Sequence, residues 1–506
     1  MKLLRLISVI SLFGLLGILA THSLDSINQD IGRHLKTGQI IWQTKSVPKT
    51  NLFSFTEPDQ PFINHHWLSE VAFFLASGAI GLKGLIVFKV IIFLVALGLT
   101  LASVRPPSRL WALLTAALAG ILVLIERTDV RPEIFSYLFL SYFLLAIFRA
   151  KYQKNYRYLY ALPLIQIFWT NMHIYFVVGP ILLFLFLIDR KVYREARANF
   201  NKLLMIFLLT TAVTLLNPNF IEGALIPFTI LKEYGYTIVE NQTIFFLKDY
   251  GLSRERISLF EASLVVLGVS FVIAFKNGRR RVLFELVCAI IFSALAIRMI
   301  RNFALYGFAF IPIVALNLST IKIQSLSKKK FLKLFLYLLY LAIPVSLIWF
   351  VTTTTYPAGT FKHFGLAIPE GAAKGVNFIK ENKIQGPMFN NFDVGSFLIW
   401  KIYPDQLVFV DGRPEAYGAE FFEKIYKPMQ ESPALWKKYS EQYQVNYVFF
   451  DHHDITPWAR TFFKNIARDP DWPLVYRDNS VVIFLKRTPK NQELINRFLK
   501  GSQPSL

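Results

Sequence analysis

Residues 82–103 read LKGLIVFKVIIFLVALGLTLAS. At 1.5 Å per residue, such a run crosses the roughly 30 Å of a bilayer's hydrocarbon core as a single helix. Working outward, comparable apolar runs predict spans at 3–20, 109–126, 132–149, 157–171, 173–189, 202–217, 257–275, 282–297, 301–319 and 331–351. Composition agrees: of 506 residues, 54% are hydrophobic, 16% aromatic and 17% charged, and the mean hydropathy is +0.42. A chain this apolar cannot cover its surface in water. The same figures exclude disorder, collagen-like repeats and a disulfide scaffold. Cys288, the one cysteine, has no second thiol to bridge. Lys2 and Arg5 ahead of the first run are reminiscent of a signal peptide, but no A-x-A-like site follows, so the run is read as a span.

The net charge of +22 belongs mostly to the apolar part. Residues 1–355 carry 36 Lys and Arg against 17 Asp and Glu, and residues 356–506 carry 19 against 16. Without a basic stripe interleaved with aromatics in the tail, nucleic acid is not an expected partner. Alternate connections hold the excess: Arg105 and Arg109; Arg149, Lys151, Lys154 and Arg157; Arg190 to Lys202; Lys276 to Arg281; and Lys322 to Lys333. The short intervening ones are nearly bare, carrying Arg127 and Arg131, then Arg298 and Arg301. The positive-inside rule makes the first set cytoplasmic. Eleven spans then place the amino terminus inside and the carboxy-terminal domain outside. Two long outer segments result, 21–81 and 218–256. On this map His22, His34, His65, His66, His173, His363, His452 and His453 all lie on the outer face or in the tail, so any acid–base chemistry is expected outside.

From Gly359 onward the pattern becomes short apolar runs punctuated by Pro, Gly and Asn. Strands are predicted at 387–390, 406–411, 446–451, 474–476 and 481–485, with helices near 371–382, 395–403, 415–427, 433–443 and 457–467. The expected architecture is a polytopic α-helical membrane protein of about eleven transmembrane helices with a carboxy-terminal extracytoplasmic α/β domain, divided into 1–355 and 356–506. The tail has no nucleotide-binding or nucleophile-elbow motif. Asp411-Gly412-Arg413 reads as a turn after a strand, and His452-His453 as a polar loop with a metal site as its alternative.

The segment 21–81 carries the densest chemistry. Asp30 and His34, spaced i and i+4, would share a helix face, where a carboxylate beside an imidazole suits a general base; a solvated surface pair is the alternative. Lys89, inside its span, is costly in lipid unless paired, and so is Glu261; a structural Lys–Glu pair would satisfy both. Arg127, Arg131, Arg298 and Arg301 sit at outer span ends, where arginine side chains ordinarily snorkel to headgroups. Asn171 and His173 stand at an outer turn, which they could cap.

Taken together, these fragments resemble bacterial membrane glycosyltransferases of the GT-C superfamily, relatives of the protein mannosyltransferases and of the Rgt-type and aminoarabinose transferases. Members often show Asp-x-Asp, His-Leu-x-x-Gly, Val-Pro-x-Thr-Asp-x-Phe-Ser and Asn-His-x-Trp-Leu. The matching residues are Asp30, His34-Leu35, Gly38, Val47-Pro48, Thr50, Phe53-Ser54, Asn64-His65 and Trp67-Leu68. Arg131-Pro132-Glu133, Asn171-Met172-His173, Asn217-Pro218, Arg298 with Arg301-Asn302, and Phe409 to Arg413 look similar too.

The resemblance implies a GT-C-like fold, a polyprenyl-phosphate-linked sugar as donor, and a glycan, lipid or protein of the cell envelope as acceptor, at the outer side of the cytoplasmic membrane. Asp30 would be the base, His34 and His65 would assist it, and Arg127, Arg131, His173, Arg298 and Arg301 would bind substrate or phosphate. The first acidic position of the pair is Asn28 here. If two carboxylates are needed to hold a divalent metal, this chain binds it poorly or not at all, and no metal ligands are assigned. A transporter or lipid flippase, and a non-catalytic relative that binds envelope partners, are the other readings.

Overall fold

The computed structural model describes residues 2–24, 30–104, 109–230, 234–321, 330–353 and 364–501. Asn28, Arg105, Lys322 and His363, which figure in the reading above, lie outside them. The chain divides into two compact units, one of residues 1–23, 80–224 and 238–367, the other of 24–79, 225–237 and 368–506. The segment 24–79, assigned by sequence to the membrane part, thus belongs to the same unit as the carboxy-terminal residues.

The first unit is helical throughout. Each of the eleven apolar runs falls on a helix. Among the described residues, seven helices are long and apolar enough to cross a membrane, including Leu3–Ala20, Leu110–Arg127, Glu133–Gln153 and Ile300–Leu318. The helix Trp67–Ser103 breaks at Gly81, whose φ of 70° and ψ of 175° are non-helical. Others are shorter, such as Leu162–Met172 with its proline in the first turn, where the missing N–H costs nothing. Small residues permit close crossings. Leu110–Leu124 and Phe303–Leu318 pack with Gly120 against Gly307, and a Cβ at either glycine would strike the other helix.

At one end of the spans, carboxylates from separate helices are neutralised internally. Lys151 Nζ donates to Asp189 at 2.8 Å and to Glu285 at 2.6 Å, and both acids are fully buried. Lys151 is therefore bound up with these acids and is no loose loop charge. Cys288 is buried and free.

The second unit contains a four-stranded sheet of β1 (Met388–Asn390), β2 (Tyr447–Asp451), β3 (Leu474–Arg477) and β4 (Val481–Leu485), in the order β1-β2-β4-β3. β1 runs parallel to β2, with Phe389 opposite Val448. β4 pairs antiparallel with both β2 and β3. The central strands are buried at every position, which is why they read as unbroken apolar runs. Helices alternate with the strands as predicted. Pro433–Gln442 and Pro457–Ile466 each begin with a hydroxyl cap, Ser432 and Thr456, followed by proline.

Two expectations fail here. Residues 406–411 form no strand of the sheet. Their backbone is satisfied instead by the Asn390 side chain, which donates to Val410 O at 2.7 Å and accepts from Phe409 N at 2.8 Å. Val408 also bonds Phe53 O at 3.0 Å. The helix expected over 415–427 is broken into a turn at Pro414–Ala416, a π-helical stretch at Phe421–Tyr426 and a short helix at Lys427–Glu431; Gly418, at φ 78°, interrupts it.

Candidate active site

In the second unit, Asp30 immediately precedes the helix Ile31–Thr44 and holds a left-handed backbone, φ 56° and ψ 4°. Few residues other than glycine adopt it, although aspartate is among those that do. Its Oδ1 accepts a hydrogen bond from Ser396 Oγ at 2.7 Å. The backbone of Gly412 lies so close that a Cβ there would collide with the same carboxylate oxygen. Asp411-Gly412-Arg413 is therefore more than a turn, because it forms a wall against Asp30. Its conformation is locked by Arg413, which donates to Asp411 through Nε at 2.7 Å and Nη2 at 2.6 Å, and to Asn51 Oδ1 at 2.7 Å. Burial by itself would raise the Asp411 pKa, but the Arg413 guanidinium outweighs it and holds the carboxyl below its usual range.

Asp30 and His34 do not form the pair expected from their spacing. His34 bonds Glu70, its Nδ1 lying 2.9 Å from Oε1. Asp30 is the N-cap of the helix, its carbonyl accepting the His34 N–H at 3.2 Å, but its own backbone is left-handed and its carboxylate bonds Ser396 instead of the imidazole. Glu70, on the helix Trp67–Ser103, is fully buried. It accepts from Arg33 Nη1 at 3.1 Å and Asn64 Nδ2 at 2.6 Å, with His66 Nε2 at 3.4 Å. Asn64 Oδ1 in turn accepts the His66 backbone N–H at 3.2 Å. Gly38 allows its helix to lie directly on the Glu70 carbonyl. His65 stands edge-on to His66 at 4.4 Å, and His66 edge-on to His34 at 5.1 Å. Glu70 is thus the shared partner of these side chains, which the sequence reading left without a role, and Ser396 was missed altogether.

Arginine can only donate hydrogen bonds. Arg33 Nη2 lies 3.4 Å from His34 Nε2, so that nitrogen is the acceptor and Nδ1 carries the proton given to Glu70. Burial, and next the Arg33 charge, hold the His34 pKa well below 6.5 despite the opposing pull of Glu70. The imidazole is neutral when folded, whereas an unfolded one protonates below about pH 6.5. Stability is consequently full above that pH and declines as pH falls beneath it. We expect the thermal midpoint to drop between pH 7.5 and 5.5, and the drop to be smaller in His34→Phe; an identical drop in the variant would contradict this assignment.

His34, His66 and Glu70 are the one metal-capable trio among the described residues, with ligand atoms within 4.8 Å of one another. They do not fit a divalent ion. Arg33 already bonds the Glu70 oxygen that would be a ligand, and its guanidinium would stand within the shell of a dication. His452 and His453 bond Asp478 O at 3.0 Å and Asp451 Oδ1 at 3.1 Å, as a polar loop would.

In the first unit, the arginines meet acids. Arg127 bonds Glu133 at 2.8 Å and Glu240 at 2.6 Å, and Arg131 bonds the other Glu240 oxygen at 2.9 Å. Arg301 reaches Asn241 Oδ1 at 3.0 Å and stands 3.8 Å from Glu133. Burial alone would raise Glu240, yet Arg127 and Arg131 bring its pKa down to about 2. Arg127 is 4% exposed, against 17% and 21% for Arg131 and Arg301. Three guanidinium groups thus share two carboxylates. Arg298 is exposed at the end of Leu283–Arg298. His173 caps the turn Ile174–Val177 and bonds Ser136 Oγ at 2.9 Å. Lys89 and Glu261 do not pair: Lys89 Nζ lies 3.2 Å from His22 Nε2, which is 3.8 Å from Asp129, while Glu261 bonds Lys248 near the surface.

The fold is shared with solved structures. The archaeal oligosaccharyltransferase AglB from Archaeoglobus fulgidus, solved with an inhibitory peptide and a dolichol-phosphate, matches 95% of this chain over 74% of its own, with TM-score 0.61 and 11% identity. The chain has the GT-C fold. ArnT from Cupriavidus metallidurans, bound to undecaprenyl phosphate, matches 96% of this chain over 98% of its own (TM-score 0.52, 11% identity). The arabinofuranosyltransferase AftD from Mycobacteria matches 96% over 41% of its own chain (TM-score 0.52, 12% identity). No protein-family model and no curated protein matches the sequence. The GT-C fold thus carries the two sets of residues above, the Asp30 wall in the second unit and the arginine–glutamate cluster in the first.

Proposed function

We propose that this protein is an integral-membrane glycosyltransferase that moves a hexosyl or pentosyl group from a polyprenyl-phosphate donor to an acceptor of the cell envelope, on the outer side of the cytoplasmic membrane. The observation that carries the reading is the Asp30 carboxylate, held at a left-handed position by Ser396 and the Gly412 backbone within a GT-C fold. The acceptor hydroxyl attacks the anomeric carbon and gives its proton to Asp30, while the bond from that carbon to the phosphate oxygen breaks and lipid phosphate leaves. The transition state is oxocarbenium-like, and positive charge on the leaving phosphate stabilises it.

Arg131 and Arg301, the more exposed members of the cluster, and Arg298 would hold that phosphate. Arg127 would act through them, by fixing Glu133 and Glu240. His34 and His65 would position the Asp30 segment through the Glu70 hub, and His173 would bind substrate from the turn Ile174–Val177 that it caps. That AglB was solved with dolichol-phosphate and ArnT with undecaprenyl phosphate supports a polyprenyl carrier. The excess of Lys and Arg in alternate connections supports the sidedness.

A mass-spectrometric inventory of polyprenyl-phosphate sugars and envelope glycans tests the reading. A strain lacking the protein should accumulate one lipid-linked sugar and lose one glycan feature, both reversed by restoring the gene. An unchanged inventory in a strain that normally expresses the protein would count against it. Within the enzyme, Arg131→Ala or Arg301→Ala should each raise the KM for donor by about tenfold or more, the worth of a charge-assisted hydrogen bond. Arg127→Ala should chiefly lower the amount of folded protein.

A further inference from the structure

The second unit has a pocket of its own, away from Asp30 in sequence and built by the helices Lys427–Glu431, Pro433–Gln442 and Pro457–Ile466. Its volume is about 260 Å³, below the ~300–1,000 Å³ of drug-sized sites and suited to one small ring. Trp436 and Phe462 give it apolar lining, packed edge to face at 4.7 Å. Asn465, Arg468 and Asp469 supply polar lining, and the last two cancel in charge.

Two of the lining side chains are buried with an unused polar atom. Trp436 is 5% exposed and Gln430 1%. Among the described residues the Trp436 indole Nε1–H has no acceptor, and Gln430 Oε1 has no donor, although the Gln430 amide N–H donates to Tyr426 O at 2.9 Å. Buried polar groups are normally satisfied, so each such atom calls for a partner. One needs an acceptor and the other a donor. A hydroxyl is both, and a ring bearing several hydroxyls on an apolar CH framework matches a neutral lining of mixed polarity.

We propose that this pocket binds a single neutral sugar ring, the unit by which the acceptor glycan is held. That the sugar belongs to the acceptor rests on the glycosyltransferase reading; the binding itself does not. The test is saturation-transfer NMR on the full-length protein in glycan-free lipid nanodiscs, probed with methyl glycosides of glucose, mannose, galactose, N-acetylglucosamine and arabinose. At least one should receive saturation from the wild type. The same glycoside should bind about tenfold more weakly to Trp436→Phe, which keeps a ring and removes the N–H, and to Gln430→Met.

Asn465→Leu, a change at a half-buried lining position that spares the core, provides a variant whose folding is not at stake and should also weaken binding. Asp30→Ala should bind like the wild type, so a failure of the catalytic assignment leaves this result intact. Binding to none of the glycosides, or equal binding by wild type and all three pocket variants, would overturn the proposal and leave the pocket to solvent.

Discussion

Replacing Asp30 with asparagine should lower glycosyl transfer by about 10²–10⁴-fold, the usual contribution of a general base, while the protein accumulates in membranes at its normal level. Asparagine is the informative substitution. It tolerates the left-handed backbone and keeps an oxygen to accept from Ser396, but it cannot take up the proton of an attacking hydroxyl. Alanine should lose as much activity and additionally some stability, because it forfeits the Ser396 hydrogen bond and fits φ 56° poorly. The measurement is turnover of a labelled lipid-linked sugar in membranes, normalised to protein by immunoblot. Transfer at the wild-type rate by Asp30→Asn would remove Asp30 from the role of base.

Glu70→Ala should destabilise the second unit by about 3–5 kcal/mol, the cost of leaving a buried charge without its partner. Glu70 is the counter-ion of Arg33, whose side chain is only 5% exposed, and it also holds His34 and Asn64. Removing it strands all three in a space where water does not replace the lost bonds. Glu70→Gln keeps one acceptor oxygen and the shape, so its loss should be distinctly smaller. Thermal unfolding of the detergent-purified proteins, read by intrinsic fluorescence, separates the three cases. An alanine variant that melts with the wild type would mean that Arg33 is satisfied elsewhere. A hub of this kind also explains why His34 and Asn64, which lie in separate motifs of the sequence, share one partner in Glu70.

The spans were legible because lipid demands long apolar runs with internally satisfied backbones, and each of the eleven runs is helical in the structure. β1, β2, β3 and β4 were legible for a related reason, since short apolar runs between turn residues leave few alternatives. The failure at 406–411 came from a side chain: Asn390 takes up the backbone groups that a neighbouring strand would otherwise bond, and no local pattern announces this.

The residues around Asp30 divide the same way. The sequence by itself determined that a carboxylate, imidazoles and guanidinium groups accompany a set of membrane helices, because composition and spacing act locally along the chain. Only the tertiary structure decided their partners. Ser396 and Gly412 reach Asp30 from hundreds of residues away, Glu70 takes His34 from Asp30, and Glu133 and Glu240 claim the arginines. A hydrogen bond or ion pair depends on distances of about 3 Å between groups in space, and separation along the chain does not encode those distances.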